Sequence, residues 1–401
     1  MRFVESFKCI KCGELAPSPK SAGTCPVCVD PFSILDIQFD LSRVAKSMTR
    51  ESLANRPPNH WRYHELLPIE LDDEAFSWPV GWTPIVEAPR LAAWAGVSRL
   101  RLKDDGRNPT SSFKDRASSV GVLLAKQQNA QRIACASTGN AASSCAGYAA
   151  MAGIASTIFV PQRAPEPKVA QLMIYGADVR RVRGTYAQAY ELCSRECIAH
   201  GWYNRNCAIN PYLVEGKKTC GLEIAEQTAG REPDWVVVSV GDGCTIAGIA
   251  KGLIEMHKLG YISRVPRVLG VQAAGMDPIV RAFEGDGKLP EDVRGQTIAD
   301  SIDVPVPRNW RKALKYVRET GGSFIRASDD EITDAMKATG RLAGMFAEPA
   351  AAAAVAGVKA AVSSGVIAPH EDALAVITGN GLKDIRTAIA IVGQPTDVDP
   401  E

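Results

Sequence analysis

From residue 99 onward, short apolar runs alternate with longer helical ones. RLRLK (99–103) reads as a strand, and SFKDRASSVGVLLAKQQ (112–128) as an amphipathic helix opened by Ser111 and Ser112. RIACAST (132–138) is a strand that passes straight into GNAASSCAGYAAMAG (139–153), a helix of small residues. STIFVP, PKVAQLMIYG, ADVRRVR and TYAQAYELCSRECIAHG continue the alternation to residue 201. WVVVSV (235–240) is fully apolar and ends at GDG, before the helix CTIAGIAKGLIEMHKLG. RVLGVQA (267–273) and ALAVITG (373–379) are further buried strands. Continuous apolar strands between helices predict an α/β fold with parallel sheets covered on both faces.

In such sheets the working residues lie on loops at the carboxyl ends of strands. Three loops have suitable chemistry: STGNAAS (137–143), GDGCT (241–245) and TGNGLKD (378–384). Gly241 and Gly243 let the backbone curl into a helix start, where convergent N–H groups and the helix dipole suit a phosphate. A plain turn fits the same residues. The hydroxyls of Ser137 and Thr138 with the Asn140 amide offer a second, carboxylate-sized anion site, or an ordinary helix cap. Lys114 in NPTSSFKDR (108–116) stands at a helix start, usually a solvated position. Held near both anion sites, its amine would be what an imine-forming cofactor requires, with desolvation lowering its pKa.

Composition narrows the field. The chain has 46 basic and 45 acidic residues, so no electrostatic case exists for nucleic acid. The alanine-rich stretch around FAEPAAAAAVAGVKAAV is too weakly apolar to span a bilayer, and MRFVESFKCIKCG has no signal-peptide core, so a soluble intracellular protein is expected. Four of the 11 cysteines fall in CIKCGELAPSPKSAGTCPVC. Cys9, Cys12, Cys25 and Cys28 form two CxxC pairs that predict a closed, structural zinc knuckle, with two unmetallated turns as the alternative. The other seven cysteines read as reduced, mostly buried small hydrophobes. His60 and His64 read as packing or hydrogen-bonding residues rather than metal ligands, since no HExxH glutamate accompanies them.

NPTSSFKDR, ASTGNAA, SVGDGCTIAGIAKG, EPAAAAAVAG and TGNGLKD, in this order and spacing, resemble threonine synthase and its fold-type II pyridoxal-phosphate relatives over residues 60–390. The resemblance implies two open twisted, mostly parallel sheet domains with pyridoxal phosphate between them. The expected division is a zinc-ribbon-like knuckle (1–35), an arm and first part of the large domain (36–130), a small domain (131–214) and the remainder of the large domain (215–395). Lys114 matches the lysine that carries the cofactor covalently, and Asn140 the asparagine on its phenolic oxygen. Gly241, Asp242, Gly243, Cys244 and Thr245 match the phosphate loop, and Thr378 the hydroxyl beside the pyridine nitrogen. Ser137, Thr138, Gly139 and Asn140 match the loop that binds the substrate carboxylate. A cytoplasmic homodimer acting on a small amino acid is implied as well.

Several positions depart from the family pattern. Asp242 places a carboxylate in a phosphate loop unless its side chain turns away, and Cys244 is also unusual there. In NCAINPYLVEGKKT (206–219), Cys207, Ala208 and Leu213 replace the asparagine, serine and arginine that hold the phosphate of O-phosphohomoserine, while Lys217 adds a cation. The nearest named reaction converts O-phosphohomoserine and water to threonine and phosphate. The alternatives are a related enzyme acting at Cβ or Cγ of another amino acid, a threonine or serine dehydratase, and a non-catalytic zinc-ribbon adaptor. The last is hard to reconcile with an intact Lys114.

Overall fold

A computed structural model describes residues 1–21, 23–71, 73–162, 164 and 166–400, whose strands form three sheets. β1 (Val4–Cys9), β2 (Leu15–Ala16) and β3 (Leu35–Phe39) make a small antiparallel sheet in the order β2-β1-β3. β4 (Ile85–Glu87) and β5 (Arg99–Asp104) begin a six-stranded sheet that the chain then leaves. β6 (Arg132–Ala136), β7 (Ala155–Pro161), β8 (Asp178–Val182) and β9 (Tyr203–Asn204) form a parallel sheet in the order β8-β7-β6-β9. β10 (Trp235–Ser239), β11 (Arg267–Ala273), β12 (Ser323–Ala327) and β13 (Asp372–Ile377) complete the large sheet, ordered β12-β11-β10-β13-β5-β4. All its pairings are parallel except β4–β5.

The central strands are continuous apolar runs because helices cover both faces. Every residue of β10 is buried. On one face lies helix Pro349–Ser363, whose alanines from Ala350 to Ala356 are all buried. On the other, helices Pro211–Gln227 and Cys244–Lys258 pack backbone to backbone. A Cβ on Gly221 would fall 2.2 Å from the Ile249 carbonyl oxygen, so the crossing accepts only glycine there. No helix of the described residues is long and apolar enough to cross a membrane.

One helix differs from its pattern. It spans Lys114–Gln127 and has no capping side chain, so Ser111 and Ser112 do not open it. Ser111 is left-handed (φ 63°) and Ser112 bridges to Gly379. The Phe113 N–H instead donates to the Thr378 carbonyl at 2.8 Å, which ties the helix start to the end of β13. Nor is it amphipathic: Asp115 through Ala125 are buried, because the helix lies between helices Asn140–Met151 and Pro211–Gln227. β4, β9 and β12 are too short or too polar to stand out in the sequence.

Candidate active site

The three loops converge on one cleft of about 590 Å³, lined by Lys114, Asn140, Lys217, the 241–245 loop, Glu348 and Thr378. Lys114 opens its helix with its side chain half-buried. Among the described residues its amine has no hydrogen-bond or ion-pair partner. Burial first, then the nearby charge of Lys217 and of Arg205, lowers its pKa to about 8. An amine with that pKa is about one-tenth neutral at pH 7, far more than a solvated lysine offers, and the neutral form is the nucleophile or base.

The 241–245 loop leaves backbone donors free. Gly243 takes φ 87°, and helix Cys244–Lys258 begins without a side-chain cap, so its first N–H groups face the cleft unsatisfied by any side chain. Asp242 lines the cleft but is held from behind and from within its own loop, with Oδ2 accepting the Cys244 thiol at 3.7 Å. Its Oδ1 accepts the Arg308 N–H at 2.7 Å, and its carbonyl accepts the Asn309 N–H at 3.1 Å. Burial raises its pKa to about 6.

At the adjacent loop, the Ser137 Oγ accepts the Gly139 N–H at 3.1 Å. Thr138 and Gly139 line not the Lys114 cleft but a second cavity of about 400 Å³, and Asn140 lines both. There the Lys383 amine donates to Ser143 Oγ (2.9 Å) and Gln171 Oε1 (3.0 Å). The Asn140 amide donates to both carboxylate oxygens of Glu348, at 2.9 and 3.0 Å. Glu348 is buried, and that burial lifts its pKa to about 7. Gly379 is pressed against it: a Cβ there would fall 2.3 Å from Oε1.

Glu348 escapes sequence reasoning although its motif stands out. The available signal is a glutamate directly before a helix-opening proline. It occupies the cap position yet caps nothing, so its carboxylate is free to face the cleft. Beneath Lys114, Arg116 is fully buried between Asp105 and Glu223, an ion network the helical pattern conceals. The four knuckle sulfurs lie within 4.8 Å of one another, with Cys9–Cys28 at 3.7 Å and Cys12–Cys25 at 3.8 Å. Both ring nitrogens of His60 face hydroxyls, Thr219 and Ser119, each at 3.3 Å.

Residues 77–379 match the family described as pyridoxal-phosphate dependent enzyme. Over 395 residues the chain is 39% identical to a threonine synthase of Methanosarcina acetivorans, covering 98% of this chain and 96% of that one. The chain belongs to the threonine synthase family of pyridoxal-phosphate-dependent enzymes. A threonine synthase of Methanocaldococcus jannaschii is 35% identical, with 98% and 96% covered. A solved T.th. threonine deaminase superposes with TM-score 0.64 at 25% identity, covering 74% of this chain and 92% of the other.

Segment 206–219 carries the residues expected to differ from the family pattern. Leu213 is buried against the Lys114 helix, where a Cβ on Gly121 would meet its Cδ2 at 2.6 Å, so it does not face the cleft. Lys217 does line the cleft. Arg205 is buried behind it, with Nε and Nη2 on Ser118 Oγ at 3.1 and 2.9 Å. The hydrogen bond from Cys244, then the charges of Lys217 and Arg205, hold the Cys207 thiol well below its ordinary range. Cys135, Cys145, Cys193, Cys197 and Cys220 are the buried small hydrophobes expected. Cys207 and Cys244 instead belong to the site.

Proposed function

We propose that the chain carries out elimination or replacement at Cβ or Cγ of an amino acid, with O-phosphohomoserine and water to threonine and phosphate as the nearest named reaction. The observation that carries this is the partnerless, half-buried amine of Lys114 where three strand-to-helix loops meet. Pyridoxal phosphate, when bound, supplies an electron sink for the charge that develops at the substrate α-carbon. Lys114 would hold it covalently and, once freed, take the Cα proton with its amine. The N–H groups of Gly241 through Thr245, Asp242 and Cys244 included, would hold its phosphate, Asn140 its phenolic oxygen, and the Thr378 hydroxyl its ring nitrogen. A hydroxyl cannot force that nitrogen to stay protonated, which suits elimination and replacement. Ser137, Thr138, Gly139 and Asn140 would take the substrate carboxylate.

A second reading is favoured by the apolar and thiol side chains of segment 206–219. With Cys207, Ala208 and Leu213 in place of polar ligands, a phosphate ester loses two or three charge-assisted bonds worth roughly 1.5–3 kcal/mol each. That weakens binding about a hundredfold or more, and Lys217 recovers part of it as a single cation. A different acidic or smaller amino acid is then the better substrate. A panel of phosphohomoserine, phosphoserine, threonine and serine tests both readings by kcat/KM. Efficient turnover of phosphohomoserine at micromolar KM restores the first; a better rate on another member supports the second.

The same proposal includes a structural zinc on Cys9, Cys12, Cys25 and Cys28. Zn–S bonds near 2.3 Å imply sulfur separations of about 3.8 Å in a tetrahedron, which the Cys9–Cys28 and Cys12–Cys25 pairs match. Metal analysis should find about one zinc per chain; ordered cysteines without metal under reducing conditions exclude it. We also propose the division into 1–35, 36–130, 131–214 and 215–395, and a cytoplasmic homodimer, which light scattering checks.

A further inference from the structure

The loop between the two CxxC pairs does not hang free. It rests on the segment that replaces the family's phosphate ligands. The Tyr212 hydroxyl donates to the Pro19 carbonyl at 2.5 Å and lies 2.7 Å from Ser18 Oγ. The Gly23 N–H donates to the Ile209 carbonyl at 2.7 Å, and Gln128 Nε2 to the Lys20 carbonyl at 2.8 Å. Tyr212 is fully buried, its ring edge-on to Phe7 of β1 with centroids 5.7 Å apart. One side of the knuckle therefore holds residues 209 and 212, immediately beside Cys207 and Leu213.

The other side reaches the helix whose lead-in anchors the 241–245 loop. Asp36 of β3, the strand that follows the second CxxC pair, is 3.2 Å from the Lys312 amine and accepts the Tyr316 hydroxyl at 2.5 Å. Lys312 also donates to the Leu35 carbonyl at 2.8 Å. Both side chains lie on helix Trp310–Glu319, and the residues leading into it, Arg308 and Asn309, are those that hold Asp242. The knuckle thus bridges the 207–213 segment and the anchor of the 241–245 loop. Its own means of holding shape are slight: between Cys12 and Cys25 the only regular structure among the described residues is the two-residue β2.

We infer that the cysteine knuckle braces the cleft, with Tyr212 as the positioning residue that fixes segment 207–213 and with metal on the four sulfurs keeping the brace rigid. The geometry of the contacts stands by itself. The effect on substrate rests on the reading that this segment faces the amino acid's distal group. Metal loss then loosens 207–213, and the amino acid binds more weakly while the chemistry at Lys114 keeps its rate. Tyr212→Phe keeps the ring and removes only the hydroxyl, so it should do the same with the metal in place.

The test is hydrogen exchange on the full-length enzyme in three forms: as purified with its metal content measured, stripped by chelator under reducing conditions, and Tyr212→Phe. The expected result is about tenfold faster exchange in 207–213 in the last two, on the scale of one lost hydrogen bond, with β13 unchanged. KM for the amino acid turned over best should rise by a similar factor, about tenfold, with kcat within about twofold. Unchanged exchange at 207–213 in Tyr212→Phe overturns the brace, whatever the metal content. Unchanged exchange there after chelation has loosened 9–28 overturns the role of the metal. Faster exchange with an unchanged KM upholds the brace and removes the distal-group reading of the segment.

Discussion

Arg116→Met is the most demanding test of how the cleft is supported. Arg116 has no exposed surface, and its guanidinium is saturated. Nε and Nη2 donate to Asp105 at 2.6 and 2.9 Å, Nη1 and Nη2 to Glu223 at 2.6 and 2.8 Å, and Nη1 to Thr219 at 3.0 Å. Methionine fills much of the same volume without charge. Glu223 would keep the Lys103 amine at 2.8 Å, but Asp105 would keep only the Thr83 hydroxyl at 2.7 Å. The loss is therefore one buried carboxylate stripped of its cation, which costs about 3–5 kcal/mol.

Unfolding entropy of about 2.1 cal/mol/K per residue makes that roughly a 4–6 °C fall in Tm for a single transition in a chain of this length. Calorimetry or circular dichroism at pH 7 measures it. Arg116→Met with Asp105→Asn should recover at least half of the loss, since the orphaned charge goes with it. Arg116→Lys should fall between, because one ammonium cannot serve two carboxylates as a planar fork does. A Tm within about 1 °C of the wild type in Arg116→Met, a shift corresponding to under ~1 kcal/mol, would refute the reasoning.

Lys114→Ala should abolish borohydride-fixable cofactor and lower turnover by several orders of magnitude; near-normal turnover sinks the assignment. Gly221→Ala should destabilise by about 1–3 kcal/mol in denaturant titration, because its Cβ has no room against Ile249. Gly340→Ala, in an exposed helical position with nothing within 4 Å, should instead stabilise by up to about 1 kcal/mol. Burial, then the Arg116 charge, lowers the pKa of His60 to about 3 from 6.5. Between those values the unfolded chain binds a proton that the folded chain refuses, so stability falls as pH drops through that window. The slope is up to about 1.4 kcal/mol per pH unit, and His60→Gln should flatten it.

What can be read in advance follows from how local each signal is. WVVVS and DALAVI announce buried parallel strands because their apolar runs are unbroken, and the three loops follow from where those runs end. The start of the Lys114 helix is illegible because its cap is the Thr378 carbonyl, a partner distant in sequence. Its face is illegible too, because burial on all sides comes from two helices still to be placed. Asp242 looks hostile to a phosphate until the N–H groups of Arg308 and Asn309 give its polar atoms somewhere to point. Glu348 and Arg116 share one reason for being missed. A buried charge has no local pattern, only partners that the fold brings to it.

β13, the last strand of the large sheet in chain order, lies in its middle, pairing with β10 on one side and β5 on the other. Arg99 waits for Asp372 as its neighbour, so the sheet cannot close while the chain is only partly synthesised. Until then β5 and β10 each present an open edge to other nascent chains, and pairings of such sequence separation form slowly. Thr378, whose carbonyl sets the start of the Lys114 helix, arrives with that same strand. A nascent chain lacking its final segment would therefore hold both unsealed edges and an unset lysine. Misfolding by edge pairing and delayed maturation of the cleft would share one origin, the late insertion of a central strand.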